Sequence, residues 1–139
     1  DYAVALNSLA LLYEVQGKYQ QAEALYQRSL VISEKTLGNS HPDVANALNN
    51  LAELYRLQRS YQKAETLYQR SLAISEKTLG NSHPNVAITL NNLAALYQAQ
   101  GNYQKAESLY QRSLSIIEKA LGKENPDVAS SLNNLAALY

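Results

Sequence analysis

The chain of 139 residues balances 12 Lys and Arg against 12 Asp and Glu and contains no cysteine. Zero formal charge supplies none of the clustered positive charge on which nucleic-acid binding and attraction to anionic membranes depend. Without cysteine there is neither a disulfide nor a thiolate metal site, and no apolar run approaches the ~20 residues that span a bilayer.

The organisation is periodic. Tyr13 recurs as Tyr55, Tyr97 and Tyr139, and LYQRSL and NNLA recur in the same register of 42 residues. A period of this length means one supersecondary unit stacked on copies of itself. The repeats run 1–42, 43–84 and 85–126, and 127–139 reads as the first helix of a fourth. The chain opens one residue past a repeat boundary and stops before a hairpin closes. It is therefore expected to be a piece of a longer array, because a native end carries a polar capping helix.

In the first repeat, Leu6, Leu9, Ala10 and Tyr13 fall at steps of three and four, which predicts a helix with one apolar face. Gln16-Gly17-Lys18-Tyr19 forms a tight turn, and a second helix follows with Ala22, Tyr26 and Ser29 on its stripe. Gly38 is expected to stop that helix in the left-handed conformation. Pro42 then fits the first position of the next helix, where its missing N–H costs nothing, with His41 at the cap.

The second repeat carries Leu48, Leu51, Ala52 and Tyr55 on its first helix. Its second helix, from about Tyr61 to Leu79, carries Ala64, Leu67, Tyr68, Ser71, Leu72, Ser75 and Leu79. Its turn reads Gln58-Arg59-Ser60-Tyr61, so an arginine stands where the other turns have Gly17 and Gly101. A left-handed residue there costs roughly 1 kcal/mol relative to glycine. The third repeat follows the same plan to Gly122, with Asn125 at the cap position. The last helix offers Leu132, Leu135 and Leu138 with no second helix to cover them. Such a face invites end-to-end contact or dimerisation.

Helices joined by a few residues are antiparallel neighbours. Neither helix of a pair buries its stripe alone, so each second helix must meet its own first helix and the first helix of the next repeat. All eleven aromatics are tyrosines, and each hydroxyl must reach water or a partner.

These residues resemble the tetratricopeptide repeat in its 42-residue, kinesin-light-chain-like form. The first-helix pattern of a large apolar residue, Leu, a small residue and Tyr is met by Leu6, Leu9, Ala10 and Tyr13 and by their copies. The second-helix pattern of small, aromatic and small is met by Ala22, Tyr26 and Ser29, by Ala64, Tyr68 and Ser71, and by Ala106, Tyr110 and Ser113. The usual 34-residue repeat closes its second helix near Glu34, whereas here the helix runs on through EKTLG. The resemblance implies an all-α fold, a right-handed α-α superhelix of antiparallel helix pairs with the first helices lining the concave side. It also implies a protein-interaction role without catalysis or cofactor.

On that reading the candidate peptide-binding residues are the non-core positions of the first helices: Asn7, Asn49, Asn50, Glu53, Arg56, Asn91, Asn92, Gln98, Asn133 and Asn134, with Val4, Asn46, Ile88 and Ser130 nearer the helix starts. In peptide-binding members of the family, asparagine at such positions holds ligand backbone. A primary amide suits this, because it offers two donors and an acceptor. A few neutral hydrogen bonds, less ordering costs, give weak binding of ~10 µM to 1 mM. The expected partner is a peptide or protein segment, not nucleic acid or membrane, in a cytoplasmic and bacterial setting. The alternative is a spacer or self-assembling array with no groove ligand, associating through the last helix.

His41 and His83 recur one repeat apart, near 10 Å by helix packing, too far for zinc ligation at ~2 Å. They read as caps, and no metal site is expected. Ser40, His41 and Asp43 supply triad residue types, but adjacent positions entering a helix do not make a base oriented by a buried carboxylate.

Overall fold

A computed structural model of the chain describes residues 2–122 and 124–138. Among the described residues all regular structure is helical: α1 Tyr2–Val15, α2 Tyr19–Leu37, α3 Pro42–Leu57, α4 Tyr61–Leu79, α5 Pro84–Ala99, α6 Tyr103–Leu121 and α7 Pro126–Ala136. The helices form two compact units, Asp1–Ile74 and Ser75–Tyr139. The boundary falls inside α4 and not at a repeat edge.

Local chemistry sets the helix limits. Pro42 and Pro84 begin α3 and α5, and the Nδ1 atoms of His41 and His83 accept from the backbone N–H groups of Asp43 and Asn85 at 3.0 and 3.1 Å. The histidines are helix caps, as their position predicts. In the α3–α4 turn Arg59 sits at φ 63°, beside Gly17 at 77° and Gly101 at 78° in the equivalent turns. Ser60 N–H donates to Tyr55 O at 2.8 Å, as Lys18 does to Tyr13 and Asn102 to Tyr97. The turn keeps its shape and the arginine bears the strain.

The closing glycines differ from expectation. Gly38 and Gly122 have φ 88° but ψ 161° and 155°. This is the mirror-extended region, which is essentially closed to side-chain-bearing residues, and not the left-handed helical one. An extended exit carries the chain away from the helix end toward the next proline, while each glycine N–H still bonds back to Glu34 or Glu118.

In the first unit α1 packs on α2 and α2 on α3. The core holds Ala10, Tyr26, Val44, Leu48, Leu54 and Tyr68. Fully burying a side chain of this size contributes about 1.5–3 kcal/mol. The small residues of the second helices act as donors: Ser29 and Ser71 hydroxyls donate to the carbonyls of Ala3 and Ala45 at 3.1 and 3.0 Å. Arg70 of α4 reaches Glu34 of α2 at 2.7 Å.

In the second unit α6 packs on α5 and on α7 around Val86, Leu90, Leu96 and Tyr110. Ser113 donates to Ala87 at 3.0 Å, and Arg112 reaches Glu76 at 2.8 Å. Both arginine–glutamate bridges are partly exposed, so each is worth at most about 1 kcal/mol.

Candidate functional site

Each compact unit has an open cavity against its first helices. In the first unit it measures ≈ 520 Å³, between Val4 and Asn7 of α1, Ile32 and Leu37 of α2 and Asn46 of α3. In the second it measures ≈ 220 Å³, between Ile88 and Asn91 of α5, Ile117 and Leu121 of α6 and Ser130 of α7. Val4 and Ile88, Asn7 and Asn91, and Leu37 and Leu121 are register equivalents, two repeats apart. The extra turns by which the second helix exceeds the 34-residue pattern supply Leu37 and Leu121, one wall of each cavity. Val4 and Ile88 are 58% and 54% exposed, so each cavity presents apolar surface to solvent. A further ≈ 530 Å³ cavity in the first unit, lined by Val31, Leu51, Tyr55 and Lys63 among others, shares no residue with the first.

Asn7 and Asn91 are half-buried, and their Oδ1 atoms are shut from solvent without a hydrogen-bond partner. The open edge of each amide is therefore its Nδ2 group. This orientation is the cheaper one, because it leaves one acceptor unsatisfied inside and not two donors. The sequence led us to expect both a donor and an acceptor facing a ligand, whereas these two positions offer N–H alone. Asn49 is half-buried at the same register, Asn92 is half-buried, and Asn50, Asn133 and Asn134 are exposed.

Glu53, Arg56 and Gln98 are partly taken up by internal bonds. Arg56 grips both oxygens of Glu53, one at 3.0 Å, and the Tyr68 hydroxyl donates to Glu53 at 3.0 Å. Gln98 accepts from the Tyr110 hydroxyl at 3.2 Å. In the first hairpin the Tyr26 hydroxyl donates to Glu14 at 3.4 Å. Tyr26, Tyr68 and Tyr110 thus each find an acceptor, but at a register that shifts between repeats.

Glu14 was absent from the sequence-based site, although it shares its register with Arg56 and Gln98; that shared register was the available signal. Burial raises its pKa and the charge of Glu53 adds to this, against the Tyr26 hydrogen bond and Arg56. Burial also pushes Glu53 upward, but the hydrogen bonds and charge of Arg56, with Tyr68, bring it below the ordinary carboxylate value. Burial and the adjacent Glu14 push Tyr26 up to about 12. Tyr68, buried against Glu53, is also raised. Among the described residues no group of three or more His, Cys, Asp or Glu could hold a metal ion, and no helix is long and apolar enough to cross a membrane.

The helix pairs, the closing bonds and the first-helix cavities define a repeat module of the protein-interaction type. The tetratricopeptide repeat profile matches residues 1–77, 43–116 and 85–139, and the chain belongs to that family. Its solved relatives are kinesin light chain-like. BtubC (BKLC) from P. vanneervenii is 29% identical with a TM-score of 0.89, over 99% of this chain and 55% of that one. A putative kinesin light chain of Podosopora anserina, with nearly identical TPR-like repeats, is 32% identical with a TM-score of 0.86, over 97% of this chain and 64% of that one. The chain thus spans less than two thirds of either relative. A search of curated proteins gave no match.

Proposed function

We propose that the chain is a non-enzymatic scaffold that binds a peptide or protein segment on the face lined by the first helix of each hairpin. The recurrence of one open, partly apolar cavity at the same register in both compact units carries this reading, with an asparagine N–H edge beside each. An apolar cavity with a few convergent polar groups is the usual form of a binding site. The N–H edges suit the carbonyls of a ligand backbone, and the exposed Asn50, Asn133 and Asn134 amides extend the polar surface. No cofactor is needed for this role. Binding of a peptide library to the wild type and to a combined Asn49→Ala, Asn91→Ala and Asn133→Ala variant tests it. Weaker binding by the variant is expected, and equal binding by both ends the idea.

A second reading rests on α7. Leu132 is 50% exposed, whereas Leu48 and Leu90 at the same register are 0% exposed. Self-association that covers α7 makes the array a structural unit without a groove ligand. Light scattering against concentration separates the two readings.

A further inference from the structure

The copies of the first helix differ from one another along one stripe. The register of Val4 holds Asn46, Ile88 and Ser130; that of Leu11 holds Glu53, Ala95 and Ala137; that of Glu14 holds Arg56 and Gln98. Positions seven and three apart share a helix face. Exposed positions on the second helices are of two kinds: Val31, Ala73 and Ser115 differ between copies, as do Ala24, Thr66 and Ser108, while others stay fixed. Gln20, Gln62 and Gln104 are exposed and identical, as are Lys35, Lys77 and Lys119. The variation on the first helices differs in lying at the cavities, where Val4 and Asn46, and Ile88 and Ser130, change what each copy presents to a ligand.

In the first compact unit the stripe combines apolar and acidic groups with one cation, Arg56, which is bound to Glu53. Among the described residues, Asp43 is the one charged residue lining the ≈ 520 Å³ cavity. Glu14 lies seven residues beyond Asn7 on α1, about 10 Å along the same face. Its carboxylate accepts one long bond from Tyr26, while Glu53 is taken up by Arg56 and Tyr68. Two repeats on, Asp43 is matched by Asp127 in sequence, Leu11 by Ala95 and Glu14 by Gln98, so the second compact unit has an amide at the register of Glu14.

Resting on the peptide-binding reading above, we propose that the first compact unit selects a peptide bearing an aliphatic side chain and, about three residues away, a lysine or arginine. The aliphatic group fills the cavity between Val4, Ile32 and Leu37, and the cation meets the carboxylate of Glu14. At ~3.3 Å per residue, three extended residues cover the ~10 Å between Asn7 and Glu14. Apolar burial supplies most of the affinity, and the ion pair sets the choice of partner.

The test is an NMR titration of the ¹⁵N-labelled chain with three synthetic peptides on a Gly-Ser host. One carries leucine and lysine three positions apart, one leucine and glutamate, and one serine and lysine. The leucine–lysine peptide is expected to bind roughly fivefold or more tightly than either other peptide. Glu14→Gln removes the preference for lysine over glutamate and Glu14→Lys reverses it. Val4→Asn, the residue of the second copy, weakens both leucine peptides. If the lysine and glutamate peptides bind the wild type equally while Asn7→Ala still weakens both, the charge selection is wrong and the peptide-binding reading survives. If no peptide shifts a resonance at millimolar concentration, the proposed selection is wrong outright, and the library experiment decides the wider reading by itself.

Discussion

The hydroxyl of Ser71 donates to the carbonyl oxygen of Ala45 at 3.0 Å, joining α4 to α3 inside the core. Ser29 and Ser113 make the same bond to Ala3 and Ala87. Serine at this register is therefore more than a small residue allowing close approach. A buried neutral hydrogen bond contributes about 1 kcal/mol net. Ser71→Ala is expected to cost about that much, a fall in Tm of roughly 3–4 °C for a chain of this size. Thermal melts followed by circular dichroism check this, and an unchanged midpoint would reduce the bond to a by-product of packing. Ser71→Val should cost more, because it adds volume to a closed seam as well as losing the donor.

The two kinds of positive-φ position make opposite predictions. Arg59 at φ 63° occupies a conformation that side chains tolerate with strain. Arg59→Gly should stabilise by about 1 kcal/mol, read as a shift in urea midpoint at constant slope. Gly38 and Gly122 pair φ 88° with ψ near 160°. A side chain there has open space around it, since a Cβ would meet nothing within 4 Å. The obstacle is the backbone itself, and Gly38→Ala should cost about 1–3 kcal/mol.

The glycine difference marks where the sequence stops being informative. Helix limits followed from the 42-residue period, from prolines at helix starts and from histidine caps, because these signals act within a few residues of the chain. The same holds for the Arg59 turn, where two glycine-bearing copies dictated the shape. Whether Gly38 turns left-handed or extends depends on where the next helix must start, which local sequence does not encode. The orientation of Asn7 was illegible because an amide has the same shape from either edge, and only its surroundings decide which atom turns inward. Glu14 was legible in principle, through its register with Arg56 and Gln98. The donor role of Ser71 was hidden because alanine would satisfy the same small-residue pattern. The boundary between compact units inside α4 leaves no mark on the period at all.

Glu14 and Glu53 should act in opposite directions as pH changes. Glu53 has a folded-state pKa below its unfolded value, so its contribution is present above the ordinary carboxylate range and lost as pH falls through the lowered value. Glu14 has a raised folded-state pKa, so its contribution is present below the ordinary range and lost as pH rises through the raised value. At neutral pH, Glu53→Gln should lower Tm and Glu14→Gln should raise it, each by about 1–3 °C given partial exposure. Both differences should shrink as the solution is acidified through the carboxylate range. Melts at neutral and acidic pH decide the matter, and shifts of the same sign for both variants would contradict the assigned electrostatics.

The exposed face of α7 makes the remaining prediction. Leu132 is half exposed at a register where Leu48 and Leu90 are sealed. Leaving such a side chain in water forgoes about 1.5–3 kcal/mol of burial, and a symmetric contact between two copies would recover part of it. If α7 associates, the mass measured by light scattering rises with concentration, and Leu132→Glu returns it to that of one chain without lowering Tm. Leu48→Glu is a control for burial of the same residue type, because a carboxylate forced into that closed core should unfold the chain. A wild-type mass that stays at one chain across the accessible concentration range rejects association through α7. The apolar cavities beside Asn7 and Asn91 would then be the better candidates for contact with another molecule.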